Sequence, residues 1–280
     1  MLVVVLFAYW HQWFLVIVMA LVMAFLSASF DTLLDGYRLQ IEDDQLRTQA
    51  NSAGILGYRL GLALVMIVPT MWVANQWSGW EMPLVGIIVV YALCCFVYYL
   101  LPMSIKTIPH HQGGLQDIWF NIRSFSWLFW VYLWLFKAPL YLLEQFMYQY
   151  LKQQAHFSLV DITFWQQSVG LCLVFLGVGV MPVIMTLFRT RQVMMGLSMA
   201  QSVIMLSWWQ LSSHVFFGGA VVLICAEHLL WGMMNVFLVS WLMSLCQAQF
   251  RMTQYAIFVA FSLLPKFMLS IPLSYVIEYH

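Results

Sequence analysis

The sequence predicts an all-α polytopic membrane protein, and three observations carry that prediction. Of its 280 residues 64% are hydrophobic and only 8% are charged, with a mean hydropathy of +0.86, whereas soluble domains carry about 25% charged residues. The apolar residues fall in continuous runs of about twenty, the length that crosses a hydrocarbon core of ~30 Å. A membrane barrel would instead alternate with a period of two. Finally, Arg59, Lys137, Glu144, Glu227 and Lys266 lie deep inside those runs, with Asp31 near the end of one. A charge at the centre of a spanning helix costs roughly 2.5–3.5 kcal/mol. A chain that keeps several is expected to move something polar or charged.

Formal net charge is zero, so nothing points to nucleic acid. The cysteines Cys94, Cys95, Cys172, Cys225 and Cys246 all fall in apolar runs without a Cys-x-x-Cys pair, and they read as small buried hydrophobes. The N-terminal MLVVVLFAYW lacks the basic region of a signal peptide. Too short to span, it reads as a helix stub. About eight spanning segments follow: Trp13–Leu34, Ala53–Trp72, Pro83–Leu101, Phe125–Tyr150, Phe164–Phe188, Val193–Leu211, Phe216–Cys246 and Thr253–Ile277. Phe125–Tyr150 and Phe216–Cys246 are long enough to tilt or to project from the bilayer.

Counting Lys and Arg in alternate connections orients the chain. One set holds Arg38, Arg47, Lys106, Arg123, Arg189, Arg191 and Arg251; the other holds Lys152 alone. The first set is therefore expected in the cytoplasm. It includes the longest connection, Met103 to Ser124, with Pro109, His110, His111, Gly113 and Gly114. That loop divides an N-terminal helical half (1–102) from a C-terminal half (125–280), as many secondary transporters are divided. Adjacent histidines on such a loop read as solvated residues, and no metal or cofactor is expected.

Four stretches carry candidate chemistry. Ser27, Asp31 and Asp35 recur on one helix face in SASFDTLLDGYR, with Arg38 a turn further. Arg59 in the next span is the expected partner of Asp31, either as a structural ion pair or as a pair that changes between transport states. Gly54, Gly57 and Gly61 form a small-residue face expected to pack on a neighbouring helix, with Arg59 nearly opposite. Lys137, Tyr141 and Glu144 share a face that Pro139 is expected to bend, as a mutual ion pair or as the lining of a substrate path. Glu227, Trp231 and Asn235 recur at i, i+4 and i+8, with His228 and Trp241 nearby. A buried carboxylate suits proton loading and release, and a tryptophan one turn away offers a face for a sugar ring. Tryptophans near span ends, such as Trp72, Trp77 and Trp80, read as interfacial anchors. No phosphate-binding loop, Ser/His/Asp arrangement or His-Glu-x-x-His run is present, so an enzyme is not expected.

The stretches SASFDTLLDGYR (Ser27–Arg38) and GILGYRLGLAL (Gly54–Leu64) together resemble the paired motif of the AmpG-like muropeptide permeases, within the major facilitator superfamily. WLMSLCQAQFRMTQYA (Trp241–Ala256) is similar to that family's late signature, and Glu227 and Lys137 fall where it places an acidic residue and a lysine. These matches add Tyr58 and Gln254 to the candidates. The resemblance implies a major-facilitator-type helical bundle that rocks Trp13–Leu101 against Phe125–Ile277 about a midplane cavity. It implies proton-coupled import of anhydro-muropeptides across a bacterial inner membrane. It also implies that the first three helices and the last of the family are not represented. The chain departs from the pattern at Phe30, at Ala138-Pro139-Leu140 after Lys137, and at Pro265 before Lys266. Two other readings stay open: a truncated, non-transporting or regulatory membrane protein, and a carrier of acetyl-coenzyme A or another solute.

Overall fold

A computed structural model describes residues 13–41, 43–74, 123, 125–153, 157–213, 217–247 and 251–278, with scattered positions between 86 and 99. The stub, most of the Pro83–Leu101 span and nearly all of the 103–124 loop lie outside the described residues. Among those described there is no strand, so the chain is all-α. The helices are α1 (Trp13–Leu39), α2 (Asp44–Ala74), α3 (Trp127–Gln153), α4 (Leu159–Ile162), α5 (Gly170–Leu187), α6 (Thr190–Ser213), α7 (Phe217–Leu245) and α8 (Arg251–Glu278), with a π-helical segment at Thr163–Val169. Stretches of three of them, Phe164–Leu187, Phe217–Leu245 and Arg251–Leu269, are long and apolar enough to cross a membrane.

Local chemistry fixes the helix ends. The Asp43 carboxylate accepts the N–H groups of Gln45 (2.7 Å) and Leu46 (3.1 Å) and so caps α2. Ser158 and Asp161 exchange hydrogen bonds at the start of α4, a capping box in which Ser158 Oγ accepts the Asp161 N–H at 3.1 Å. Gln192 does the same for α6, its Oε1 accepting the Arg189 N–H at 3.1 Å. The segment expected to span Phe164–Phe188 is present as the apolar stretch Phe164–Leu187, with a further helical extension on its N-terminal side. It begins at Leu159 and passes through the π turn before becoming α5 at Gly170. Such turns insert an extra residue into a helix and recur at functional sites. Where the π turn ends, the imidazole of His228 occupies the space a Gly170 side chain would need.

The chain divides into two compact units, one of Met1–Asp35 with Gly57–Gln112 and the other of Gly36–Leu56 with Gly113–His280. In the first, α1 exposes Phe14, Leu21, Phe25 and Leu33, as expected of a helix whose solvent is acyl chain. The second unit is built from two close helix pairs. In one, α5 and α7 meet backbone to backbone: a Cβ on Gly177 would overlap the Leu229 carbonyl, and one on Gly232 the Val174 carbonyl. In the other, α3 packs on α8 through Phe125, Phe129 and Trp130 against Phe258, with centroids 5.2–5.7 Å apart. α6 joins both pairs, packing on α7 and receiving two tyrosines from α3. Tyr132 Oη lies 3.2 Å from Ser198 Oγ, and Tyr150 Oη donates to the Leu211 carbonyl at 3.1 Å.

Candidate functional site

α3 and α7 do not pack backbone against backbone; long side chains bridge them. Phe136 meets Phe237 at 5.9 Å, while Tyr132 and Phe129 reach Trp241 at 5.9 and 5.7 Å. Residue numbers fall along α3 as they rise along α7, so the two helices are antiparallel. Above this aromatic ladder Lys137 Nζ donates to Asn235 Oδ1 at 2.5 Å. The Asn235 amide is itself fixed, because Nδ2 donates to the Trp231 carbonyl at 2.7 Å. Lys137 and Asn235 are only 8% and 9% exposed, so the charge is carried inside the helical bundle.

The antiparallel register then determines what lies beyond. Glu144 stands seven residues past Lys137, about 10.5 Å along α3, and Glu227 eight residues before Asn235, about 12 Å along α7 in the same direction. The two carboxylates accordingly come within electrostatic reach of each other, and Glu144 also acts on Tyr141. Their settings differ. Glu144 is exposed, whereas Glu227 is 5% exposed and its Oε2 finds no hydrogen-bond partner among the described residues. α8 adds Lys266, whose Nζ lies 5.7 Å from the centre of the Tyr141 ring.

Seven expected residues thus assemble in one unit: Lys137, Tyr141, Glu144, Glu227, Trp231, Asn235 and Lys266. Gln254 is elsewhere, fully buried with its Oε1 accepting the Gln247 N–H at 2.8 Å, where it closes the α7–α8 connection. The Arg38 guanidinium lies over Gly54. In the other unit Asp31 and Tyr58 are exposed while Asp35 and Arg59 are half-buried. Asp31 makes no ion pair among the described residues, so its expected pairing with Arg59 is not observed. Of the three glycines, Gly54 is closely approached, by Arg38, whereas Cβ atoms on Gly57 and Gly61 would meet no atom of the described residues within 4 Å.

Sequence reading missed a set of contacts that hold the α1–α2 connection. Arg251 donates to the Leu39 carbonyl at 2.9 Å, Arg47 to the Ile41 carbonyl at 3.2 Å, and the buried Asn51 to Ser240 Oγ at 3.2 Å. Arg47 also pairs with Asp44. They border a polar cleft of about 350 Å³ lined by Asp44, Arg47, Thr48, Ser240 and Trp241, away from Lys137 and Glu227. The available signal was the polar run Arg47, Thr48, Asn51 and Ser52, which is buried although it falls in the connection between the expected spans Trp13–Leu34 and Ala53–Trp72.

Helices long and apolar enough to cross a membrane, with Lys137 and Glu227 buried among them, define this chain as an all-α polytopic membrane protein. Over 255 residues it is similar to the anhydromuropeptide permease of Escherichia coli strain K12 and to that of strain O157:H7, at 27% identity to each. The alignment covers 87% of this chain and 51% of each relative, so the chain spans about half the length of the proteins it matches. The resemblance to AmpG-like permeases, and its partial character, are borne out by that similarity. No family model matches.

Proposed function

We propose that the chain belongs to a secondary active transporter, of the major facilitator type, that imports anhydro-muropeptides coupled to protons. The helical halves 1–102 and 125–280 alternate access to a midplane site, the 103–124 loop is cytoplasmic, and the protein resides in a bacterial inner membrane. Similarity to anhydromuropeptide permeases supports the substrate class. The observation that carries the coupling is Glu227, a buried carboxylate with an unpartnered oxygen within reach of a second carboxylate. An ionised carboxylate inside a spanning helix costs several kcal/mol unless paired, so Glu227 takes up a proton when its surroundings close and releases it when water or a cation arrives. Lys137, oriented by Asn235, offers the cation that receives a substrate carboxylate, and Trp231 the face for its sugar. Asp31, Asp35, Tyr58 and Arg59 are the candidate coupling residues of the N-terminal half 1–102.

The test uses right-side-out vesicles, labelled anhydro-muropeptide and an imposed proton gradient. Glu227→Gln is expected to abolish gradient-driven accumulation while leaving substrate exchange in the absence of a gradient. Accumulation at the wild-type level in E227Q would remove the coupling role.

A further inference from the structure

We propose that the groove bounded by α5, α6 and α7 binds one acyl chain of an anionic phospholipid whose headgroup is held by Arg189 and Arg191. The groove has a volume of about 630 Å³ and is walled by Ile184, Gly196, Ala200, Ile204, Leu229 and Met233. On α6 the lining positions run from Gln192 to Ile204, about 18 Å of helix. Half of the ~30 Å hydrocarbon core is ~15 Å, so the groove has the length of one leaflet. Its floor is open at Gly196, where a Cβ would meet no atom of the described residues within 4 Å. In water such a groove would need a protein to cover it; in a bilayer the acyl chain is the solvent.

Charge identifies the headgroup. Phe188 and Gln192 line one end of the groove, and the connection between them carries Arg189 and Arg191, both exposed. Neither α5 nor α6 contains an Asp or Glu, and Asp44, beside Thr190 in the adjoining cleft, is already paired with Arg47. The two guanidinium groups therefore stand without an acidic neighbour on α5 or α6, at the end of the groove lined by Phe188 and Gln192. Arginine's planar fork matches phosphate oxygens, and basic pockets between spanning helices are recognised sites for anionic headgroups.

The protein, purified in detergent, is titrated in native mass spectrometry with phosphatidylglycerol or with phosphatidylcholine of the same acyl chains. One phosphatidylglycerol is expected to bind about thirtyfold more tightly than phosphatidylcholine, as about 1 kcal/mol from each of two basic side chains at a membrane surface implies. R189Q/R191Q is expected to bring phosphatidylglycerol down to the phosphatidylcholine level. Gly196→Leu, which projects into empty space and spares the core, is expected to remove both. Equal binding of the two lipids, or undiminished binding in G196L, overturns the proposal. So does a dimer that G196L dissociates, which would place a second copy of the chain in the groove.

Discussion

Replacing Lys137 by Met separates a structural from a functional reason for keeping a cation in α3. The Lys137 ammonium is 8% exposed and donates to Asn235 at 2.5 Å. Interhelical hydrogen bonds within membranes average about 0.6 kcal/mol and reach about 1.7, and an orphaned Asn235 oxygen adds about 1–3 kcal/mol. Against these losses, Met retains the apolar stem and dispenses with a buried charge that costs roughly 2.5–3.5 kcal/mol. The opposing terms are of similar size, so unfolding of K137M in mixed micelles titrated with SDS is expected within about 1 kcal/mol of wild type, while uptake in vesicles is lost. A second change, Asn235→Leu, removes the orphaned acceptor; the double-mutant cycle is expected to give a coupling of about 0.6–1.7 kcal/mol. A loss of more than about 3 kcal/mol in K137M would make Lys137 a structural brace and refute the reasoning. Full uptake in K137M would refute it from the other side.

Two further changes test the architecture around the site. Gly177→Ala sets a Cβ into the Leu229 carbonyl and is expected to destabilise the α5–α7 pair by about 1–3 kcal/mol. Gly179→Ala meets nothing within 4 Å and is expected to be neutral or up to about 1 kcal/mol stabilising, through helix propensity alone; equal effects of the two in SDS unfolding would deny the backbone contact. Asp43→Ala leaves the first N–H groups of α2 without their cap and is expected to cost about 0.5–2 kcal/mol. Faster hydrogen exchange at Gln45 and Leu46 should accompany that loss, and unchanged exchange would count against the cap.

Much of the second unit was legible because the bilayer imposes one rule, long apolar helices, that composition reveals directly. The expected spans fall within the observed helices at Trp127–Gln153, Phe217–Leu245 and Arg251–Glu278 to within a few residues. The π turn was not legible, since periodicity over Thr163–Val169 does not distinguish an inserted residue from an ordinary turn. Nor were the pairings. Face periodicity placed Lys137 with Glu144 and Glu227 with Asn235, each on one helix, but it could not say which helix would supply the partner. Adjacent spans and opposite charge suggest that Asp31 and Arg59 pair, yet Asp31 is exposed and makes no ion pair among the described residues. Gln254 was assigned to the site on a motif, whereas its carboxamide secures the turn after α7.

Lys137 and Glu144 are seven residues apart, Glu227 and Asn235 eight, in opposite chain order. On antiparallel helices those intervals nearly coincide, about 10.5 and 12 Å, so satisfying Lys137 with Asn235 necessarily carries Glu144 toward Glu227. The arrangement divides the space between α3 and α7 into two chemically unlike ends. On one side of the Lys137–Asn235 bridge, Phe129, Tyr132, Phe136, Phe237 and Trp241 close the gap with ring contacts of 5.5–6.1 Å. On the other, Glu144 and Glu227 come within electrostatic reach, and Glu227 Oε2 has no hydrogen-bond partner among the described residues. Aromatic packing has little to gain from protonation, but a carboxylate pair does, so a change in proton occupancy acts on the carboxylate end alone. A proton-driven cycle of the kind proposed is therefore expected to open and close first at Glu144 and Glu227, with the aromatic end, on the far side of Pro139, following.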